Sequence, residues 1–289
     1  MTTLRPLISI ALAPRTSTDD ERMARGLEAL LTEDPTLSAH ADTDAGYIVL
    51  GGQGELHLQV AVDRLRQEFG VEAAVSRPEI TYTEALSRPA DSEMQYEKQH
   101  NGRNHFAQVR LHLAPGAAGA GFVFVNALPA DALPARIVAV IEQSVREQAA
   151  RGAAAGHPIE DVTVELTGGT HREPDSSEMA FSIAASVAFL DAARRAGPVV
   201  LQPVMTVEVT APGEFEPAVV QDIVGRGGRL VETRATDGTA VVTAHVPLAG
   251  LSGYANDLRA ISRGRAAHRT RLAGFEPLRR QDPPTGAVN

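Results

Sequence analysis

At 289 residues the chain exceeds one typical domain, so one to three compact units with a sizeable core are expected. It has no cysteine, which excludes disulfides, thiolate metal sites and a cysteine nucleophile, and a single lysine, Lys98, which lies between Glu97 and Gln99 and so excludes a Walker-type nucleotide loop. The net charge of −9 argues against a nucleic-acid partner for the chain as a whole, yet residues 222–280 carry ten arginines against five acids and suit phosphate locally.

The N-terminus, MTTLRPLISIALAPRT, has one arginine before a short apolar run and no small-residue cleavage pattern, and no stretch approaches eighteen apolar residues. A cytoplasmic protein without a membrane partner is expected. Leu7–Ala13 reads as a strand, and Thr18 opens a helix, with Glu21 in the capping-box position and Met23, Leu27, Leu30 and Leu31 on one face. Two short strands, Leu37–Asp42 and Gly46–Leu50, follow around DTDAG. GGQGE leads into a second helix with Leu58, Val62, Leu65 and Phe69 on one face, and Val71–Val75 is the last strand. This order, βαββαβ, is the ferredoxin-like sandwich.

The central stretch has strand candidates at Ile80–Leu86, Ser92–His100 and His105–Leu113, a Gly/Ala loop, a strand at Phe122–Val125, a helix over Leu133–Arg151 and a strand at Ile159–Leu166. The spacing then predicts a glycine turn at Gly168 and Gly169 that exposes Thr170 and His171. Asp175 is read as the N-cap of the next helix, with Glu178 as its reciprocal acid. From Met179 to Leu190 that helix is apolar on nearly every side, so packing is expected to surround it and hold a rigid finger.

Residues 203–273 repeat the βαββαβ order, with strands around Met205–Val209, 229–235, 239–246 and Arg265–Leu272, and helix faces on Phe215, Val219, Ile223 and on Leu251, Tyr254, Leu258, Ile261. The expected architecture is α+β, with two ferredoxin-like sandwiches (4–78 and 201–275) flanking a central mixed-sheet domain (79–200), and a tail at 276–289.

Chemistry is sparse in these elements. His171 with Asp175, Ser176 and Ser177 invites a hydrolase reading, but no Gly-x-Ser-x-Gly elbow is present and capping explains the acid and serines better. No His-Glu-x-x-His or similar pair exists among the nine histidines, so no metal is assigned. Asn101, Gly102, Arg103 and Asn104 form a hairpin turn or a second exposed loop that carries Arg103 and His105 to phosphate. Gly51, Gly52 and Gly54 precede a helix and read as a close-packing turn before an anion site. Arg226 and Arg229 flank a glycine helix stop at Gly227 and Gly228, and with Arg263 and Arg265 they form either a solvated or an RNA-facing set.

GGQGELHLQVAVDRLRQEFGVE (51–72), PDSSEMAFSIAASVAFLDAARRAGPVVLQPVMTVEV (174–209) and VPLAGLSGYANDLRAISRGRA (246–266) resemble the C-terminal three domains of bacterial elongation factor G and its eukaryotic counterpart. The resemblance implies a third, fourth and fifth domain here, with no catalytic residue and no cofactor in this chain. GTP and Mg²⁺ are implied only for a full-length member, whose guanine-nucleotide domain and following barrel would precede residue 4. Implied partners are the ribosome (ribosomal RNA and proteins), with transfer RNA and messenger RNA at the decoding site, for a monomeric factor that promotes translocation. The family's tip histidine matches His171, so Gly168, Gly169, Thr170, His171 and Arg172 form one tip loop, and Asn101, Gly102, Arg103 and His105 the other. The fifth domain's contact with large-subunit ribosomal RNA falls to Arg226, Arg229, Arg263 and Arg265.

The sequence departs from the family pattern in three places. Asn101, Asn104 and Ala107 replace family glycines, one extra residue separates His171 from Asp175, and the motif at Asp222–Gly228 has lost one arginine. These differences imply a paralogue of the standard factor. A ribosome-protection factor that dislodges a tetracycline-type inhibitor and a stand-alone RNA-binding module stay open as alternatives.

Overall fold

A computed structural model of the chain describes residues 6–42, 46–100, 103–129, 131–236 and 238–278. The polypeptide divides into two compact units, residues 1–81 with 202–289, and residues 82–201. The first unit opens with β1 (Ile8–Pro14), α1 (Ser17–Glu33), β2 (Ser38–Asp42), β3 (Tyr47–Gly52), α2 (Glu55–Phe69) and β4 (Ala73–Val75). The sheet order is β2-β3-β1-β4, all antiparallel, and a two-residue β5 (Glu79–Ile80) joins β1. Ile8, Ile10 and Leu12 alternate inward from β1, and Met23, Leu27 and Leu30 of α1 join Leu58, Ala61 and Leu65 of α2 in the core. The helices approach closely at Gly26, where a Cβ would sit 2.7 Å from the Leu65 side chain.

The start of α1 corrects the sequence reading. Its N-cap is Thr16, whose Oγ1 accepts the Asp19 N–H at 3.1 Å and donates to the Asp19 carboxylate at 2.6 Å. Thr16 prevails over Thr18 because Asp19 also accepts the backbone N–H of Glu72, which ties the helix start to the chain entering β4. The Thr16 hydroxyl first, then the Glu72 amide, hold the Asp19 carboxyl below its ordinary pKa.

The second unit begins with β6 (Thr83–Leu86), followed by the long hairpin β7 (Ala90–His100) and β8 (Arg103–Pro115), then β9 (Phe122–Asn126), α3 (Ala135–Arg151), β10 (Val162–Thr170) and α4 (Glu178–Arg195). The sheet order is β7-β8-β10-β9, antiparallel except for the β9–β10 pair that α3 connects. Ala107, Val109, Leu111 and Leu113 of β8 and Val162, Val164 and Leu166 of β10 face the helices. Alanines 180, 184, 185, 188, 192 and 193 let α4 lie close to that core, with Phe181 and Phe189 filling it. The helix is not enclosed on every side: the sheet and α3 cover its inner faces, and Met179 and Val187 are exposed.

One carboxylate organises the far end of this unit. Glu84 of β6 is fully buried and accepts the N–H groups of Ala153, Ala154 and Ala155 at 2.9, 3.0 and 2.7 Å, and that of His157 at 3.3 Å. The loop after α3 is thus wrapped around a single side chain, an arrangement that no local pattern announces.

The first unit resumes in β11 (Pro198–Pro212), whose first four residues pair with β6, and continues through a 3₁₀ turn at Gly213–Phe215 into α5 (Glu216–Gly225). Then come β12 (Arg229–Thr236), β13 (Thr239–Pro247), a 3₁₀ turn at Leu248–Leu251, α6 (Tyr254–Ile261) and β14 (Ala267–Pro277). The order β12-β13-β11-β14 reproduces that of the first sheet. The architecture is therefore α+β, as expected. The buried residues of both βαββαβ sheets belong to one apolar cluster.

Candidate functional site: the tip of the central unit and a basic helix end

The predicted glycine turn is part of a strand. Gly168 and Gly169 lie in β10, paired with Arg110 and Val109 after a register shift between Leu166 and Gly168, and Thr170 pairs with Gln108. Close approach explains both glycines: a Cβ on Gly168 would lie 3.0 Å from the Arg110 Cβ, and one on Gly169 would lie 2.6 Å from Leu133. The loop therefore begins at His171, one strand end later than the composition suggests, and Thr170 and His171 are half-buried in place of the expected exposure, while Arg172, Glu173 and Pro174 are exposed.

That loop is held by serine chemistry. Ser177 is the N-cap of α4, its Oγ accepting the Ala180 N–H at 3.3 Å, and so corrects the assignment of Asp175 to that role. Asp175 instead uses its backbone carbonyl to accept the Phe106 N–H at 2.9 Å, and Glu178 is the first residue of the helix, where its charge suits the positive end of the dipole. Ser176 joins three points, donating from Oγ to the Phe106 carbonyl, accepting the Arg172 N–H, and donating its own N–H to the Arg172 carbonyl. The segment thereby pairs with the end of β8 through a parallel bridge at Phe106.

The side chains follow this frame. The Arg172 guanidinium lies 3.7 Å from the Phe106 ring centroid, in cation–π geometry. The His171 ring stacks 6.3 Å from that of Phe181. His105 Nδ1 is 3.2 Å from the Ser177 Oγ, which brings the second predicted tip residue to the same helix cap. Asn101 and Gly102 lie outside the described residues, as does the Arg103 side chain; the Arg103 backbone pairs with His100.

Phe106 is the residue that the sequence reading missed. The inward set on β8 is Ala107, Val109, Leu111 and Leu113, which places Phe106 with Gln108, Arg110 and His112 on the outer face. A phenylalanine in that polar row was the available signal that something must cover it, and Arg172 and Ser176 do. Below the tip the same face carries a network: Thr170 donates to Gln108, Gln108 donates to Glu93, and Arg110 holds Glu93 through Nε at 3.0 Å and Nη2 at 2.7 Å. Arg110 first, then Gln108, lower the Glu93 carboxyl pKa.

Gly51 and Gly52 pack as the close-packing reading expects, a Cβ there falling 2.5 Å from the Ser38 side chain and 2.8 Å from that of Leu58, whereas one on Gly54 would meet open space. The Gln53 N–H is taken by His57 Nδ1 at 3.1 Å, and His57 Nε2 lies 3.0 Å from Asp34. Among the described residues no cluster of three or more His, Asp or Glu could hold a metal, and no helix is long and apolar enough to cross a membrane.

The four predicted basic residues separate into different environments. Arg226 turns inward: it bonds Asp222 at 2.9 Å, Asp257 at 2.5 Å and the Gly250 carbonyl at 2.8 Å, and lies 5.1 Å from the Tyr254 ring centroid. Burial pulls its pKa down, and the bonds from Asp222 and Asp257 more than reverse this. It joins α5 to α6 and is not available to phosphate, which corrects its place in the RNA-facing set. Arg229 pairs with Glu276, and Arg265 pairs with Glu214 over the Phe215 ring. Arg263 follows α6, exposed, with a φ of +52°.

Three family models match consecutive stretches of the chain: Elongation Factor G, domain III, over residues 5–77; Elongation factor G, domain IV, over 78–197; and Elongation factor G C-terminus, over 199–285. A crystal structure of a protein from Thermus thermophilus is similar at a TM-score of 0.67 and 32% identity, across 97% of this chain and 42% of that one. The present chain thus spans less than half of that relative. Since the three models together run through nearly all of it, the chain belongs to the elongation factor G family, of which it carries domain III, domain IV and the C-terminal region.

Proposed function

We propose that this chain is the ribosome-engaging part of a translocation factor. The central unit presents its tip, built from Arg103, His105, Thr170, His171 and Arg172, to the decoding region of the small subunit. There it occupies the space that transfer RNA vacates and blocks its return. One observation supports this reading above the others: Ser176 and Asp175 dock the 172–176 loop on β8. A finger that resists back-movement must not yield at its tip, and here backbone and side-chain bonds fix it before any ligand arrives. No covalent step is assigned to these residues. GTP and Mg²⁺ would be handled by the family's guanine-nucleotide domain, outside the matched stretches.

Co-sedimentation with whole ribosomes across a salt series tests the engagement. Saturable binding is expected, weakening as salt rises in proportion to the number of phosphates contacted. Absence of binding at low salt would contradict the reading. The role of the tip is tested separately. In a factor that joins these domains to a nucleotide-driven half, His171→Ala is expected to slow messenger movement about tenfold, a barrier change of ~1.4 kcal/mol. Its circular dichroism should be unaltered, and an unchanged rate would remove His171 from the mechanism.

A further inference from the structure

β12 lies at the edge of the second βαββαβ sheet and is the counterpart of β2 in the first, yet the two edges differ. β2 is five residues long and half-buried at Ser38 and Ala39, whereas β12 runs for eight residues, Arg229–Thr236, every one of them exposed. One side of β12 pairs with β13, from Arg229 opposite His245 to Thr236 opposite Thr239. Its other side pairs with no strand among the described residues. Every second residue there turns its N–H and C=O groups outward, a template for a further strand. Such edges are ordinarily guarded by lysine, proline or a bulge. β12 has neither lysine nor proline, and its one bulge lies near its start, between Leu230 and Glu232, so residues 232–236 keep a regular ladder with β13.

The charges on this edge select its partner. Thr233 opposes the buried Val242, so Glu232 and Arg234 stand together on the other face of the sheet, where they form an exposed ion pair at 2.5 Å. Two copies of β12 that pair antiparallel about a twofold axis must centre on one residue, because only then do facing side chains share a face. Centred on Thr233, the Glu232 of each copy faces the Arg234 of the other, Thr233 faces Thr233, and Val231 faces Ala235. Centred one residue to either side, Glu232 faces Glu232 or Arg234 faces Arg234, and like charges directly opposite repel. One register alone is therefore complementary in charge to itself. Forming it exchanges an ion pair within each strand, exposed and of little worth, for two between the copies, and the outward N–H and C=O groups gain partners. Val231, 55% exposed in the single chain, gains apolar cover from the facing Ala235.

We propose that the free edge of β12 joins two copies of this chain as an antiparallel strand pair centred on Thr233, so that the sheet runs on into that of the second copy. The dimer departs from the monomer that the family resemblance implies, and it is independent of the proposed ribosome engagement. So short a strand pair falls below a standard interface, and its dissociation constant is expected to be on the order of 100 µM. Sedimentation equilibrium of the full chain from about 5 to about 500 µM reads it, with the wild type passing from monomer toward dimer over that range. Glu232→Arg sets arginine against arginine and Arg234→Glu sets glutamate against glutamate. Each should weaken self-association about tenfold or more, with an unaltered circular dichroism spectrum because both positions are exposed. An equimolar mixture of the two variants should associate like the wild type, since each supplies the charge that the other lacks, and the double variant Glu232→Arg/Arg234→Glu should recover as well. A wild type that stays monomeric to about 500 µM overturns the proposal. Self-association that neither single variant weakens also overturns it, since the interface would then lie elsewhere. So does a mixture that fails to recover, because the variants would then be acting through something other than the paired charges.

Discussion

Glu84→Gln should destabilise the 82–201 unit by about 3 kcal/mol, and Glu84→Ala by more. The carboxylate offers roughly four lone-pair directions, and four backbone N–H groups, those of Ala153, Ala154, Ala155 and His157, occupy them. A glutamine keeps one accepting oxygen and turns an NH₂ group toward donors, so at least one buried N–H loses its partner and another is repelled. Alanine leaves all four without an acceptor in a place that is fully buried. For a unit of this size the expected fall in melting temperature is roughly 10 °C for the glutamine variant, read by calorimetry as a shift in one of two transitions. Hydrogen exchange should show the opening concentrated at 152–158. A melting curve that matches the wild type would mean that water or a rearranged loop replaces the carboxylate, and the account of the cap would be wrong.

Arg226→Ala should cost about 3 kcal/mol of stability in the other unit. The guanidinium satisfies two carboxylates and the carbonyl of Gly250, and it covers the Tyr254 ring. Removing it leaves Asp222, which is largely covered, beside an aromatic ring with its counter-charge gone. Burial first, with Asp222 adding to it, has already pushed the Tyr254 hydroxyl pKa up to about 12, a measure of how poorly that pocket tolerates negative charge. Arg226→Lys should recover only part of the loss, because an ammonium cannot reach Asp222, Asp257 and the Gly250 carbonyl from one plane. Urea denaturation provides the measurement; equal midpoints for the wild type and Arg226→Ala would show the network to be energetically idle. The ribosome affinity of Arg226→Lys, measured under conditions where it stays folded, should equal that of the wild type, since this arginine faces inward.

The two βαββαβ sheets were legible in the residue pattern because strand and helix periods write themselves locally: Ile8, Ile10 and Leu12 at every second position, and Met23, Leu27 and Leu30 at helical spacing. The helix stop at Gly227 was equally visible, since a left-handed backbone selects glycine whatever surrounds it. His171 was singled out as a loop residue on the same kind of local evidence, a histidine between a strand and an apolar helix.

What the sequence could not decide was which of several adequate local partners would be used. Ser177 and not Asp175 caps α4, because Asp175 is drawn by its carbonyl to Phe106, far earlier in the chain. Thr16 and not Thr18 caps α1, because Asp19 is claimed by Glu72. Gly168 and Gly169 lie in a strand and not in a turn, because Arg110 and Leu133 need the space that a Cβ would fill. Arg226 and Arg263 look alike in sequence, each beside a glycine at a helix end, yet one is half-buried and paired with two acids and the other is exposed without a partner among the described residues. In each case the local energies of the competing choices differ by no more than about 1 kcal/mol, so contacts between residues far apart in the chain set the outcome.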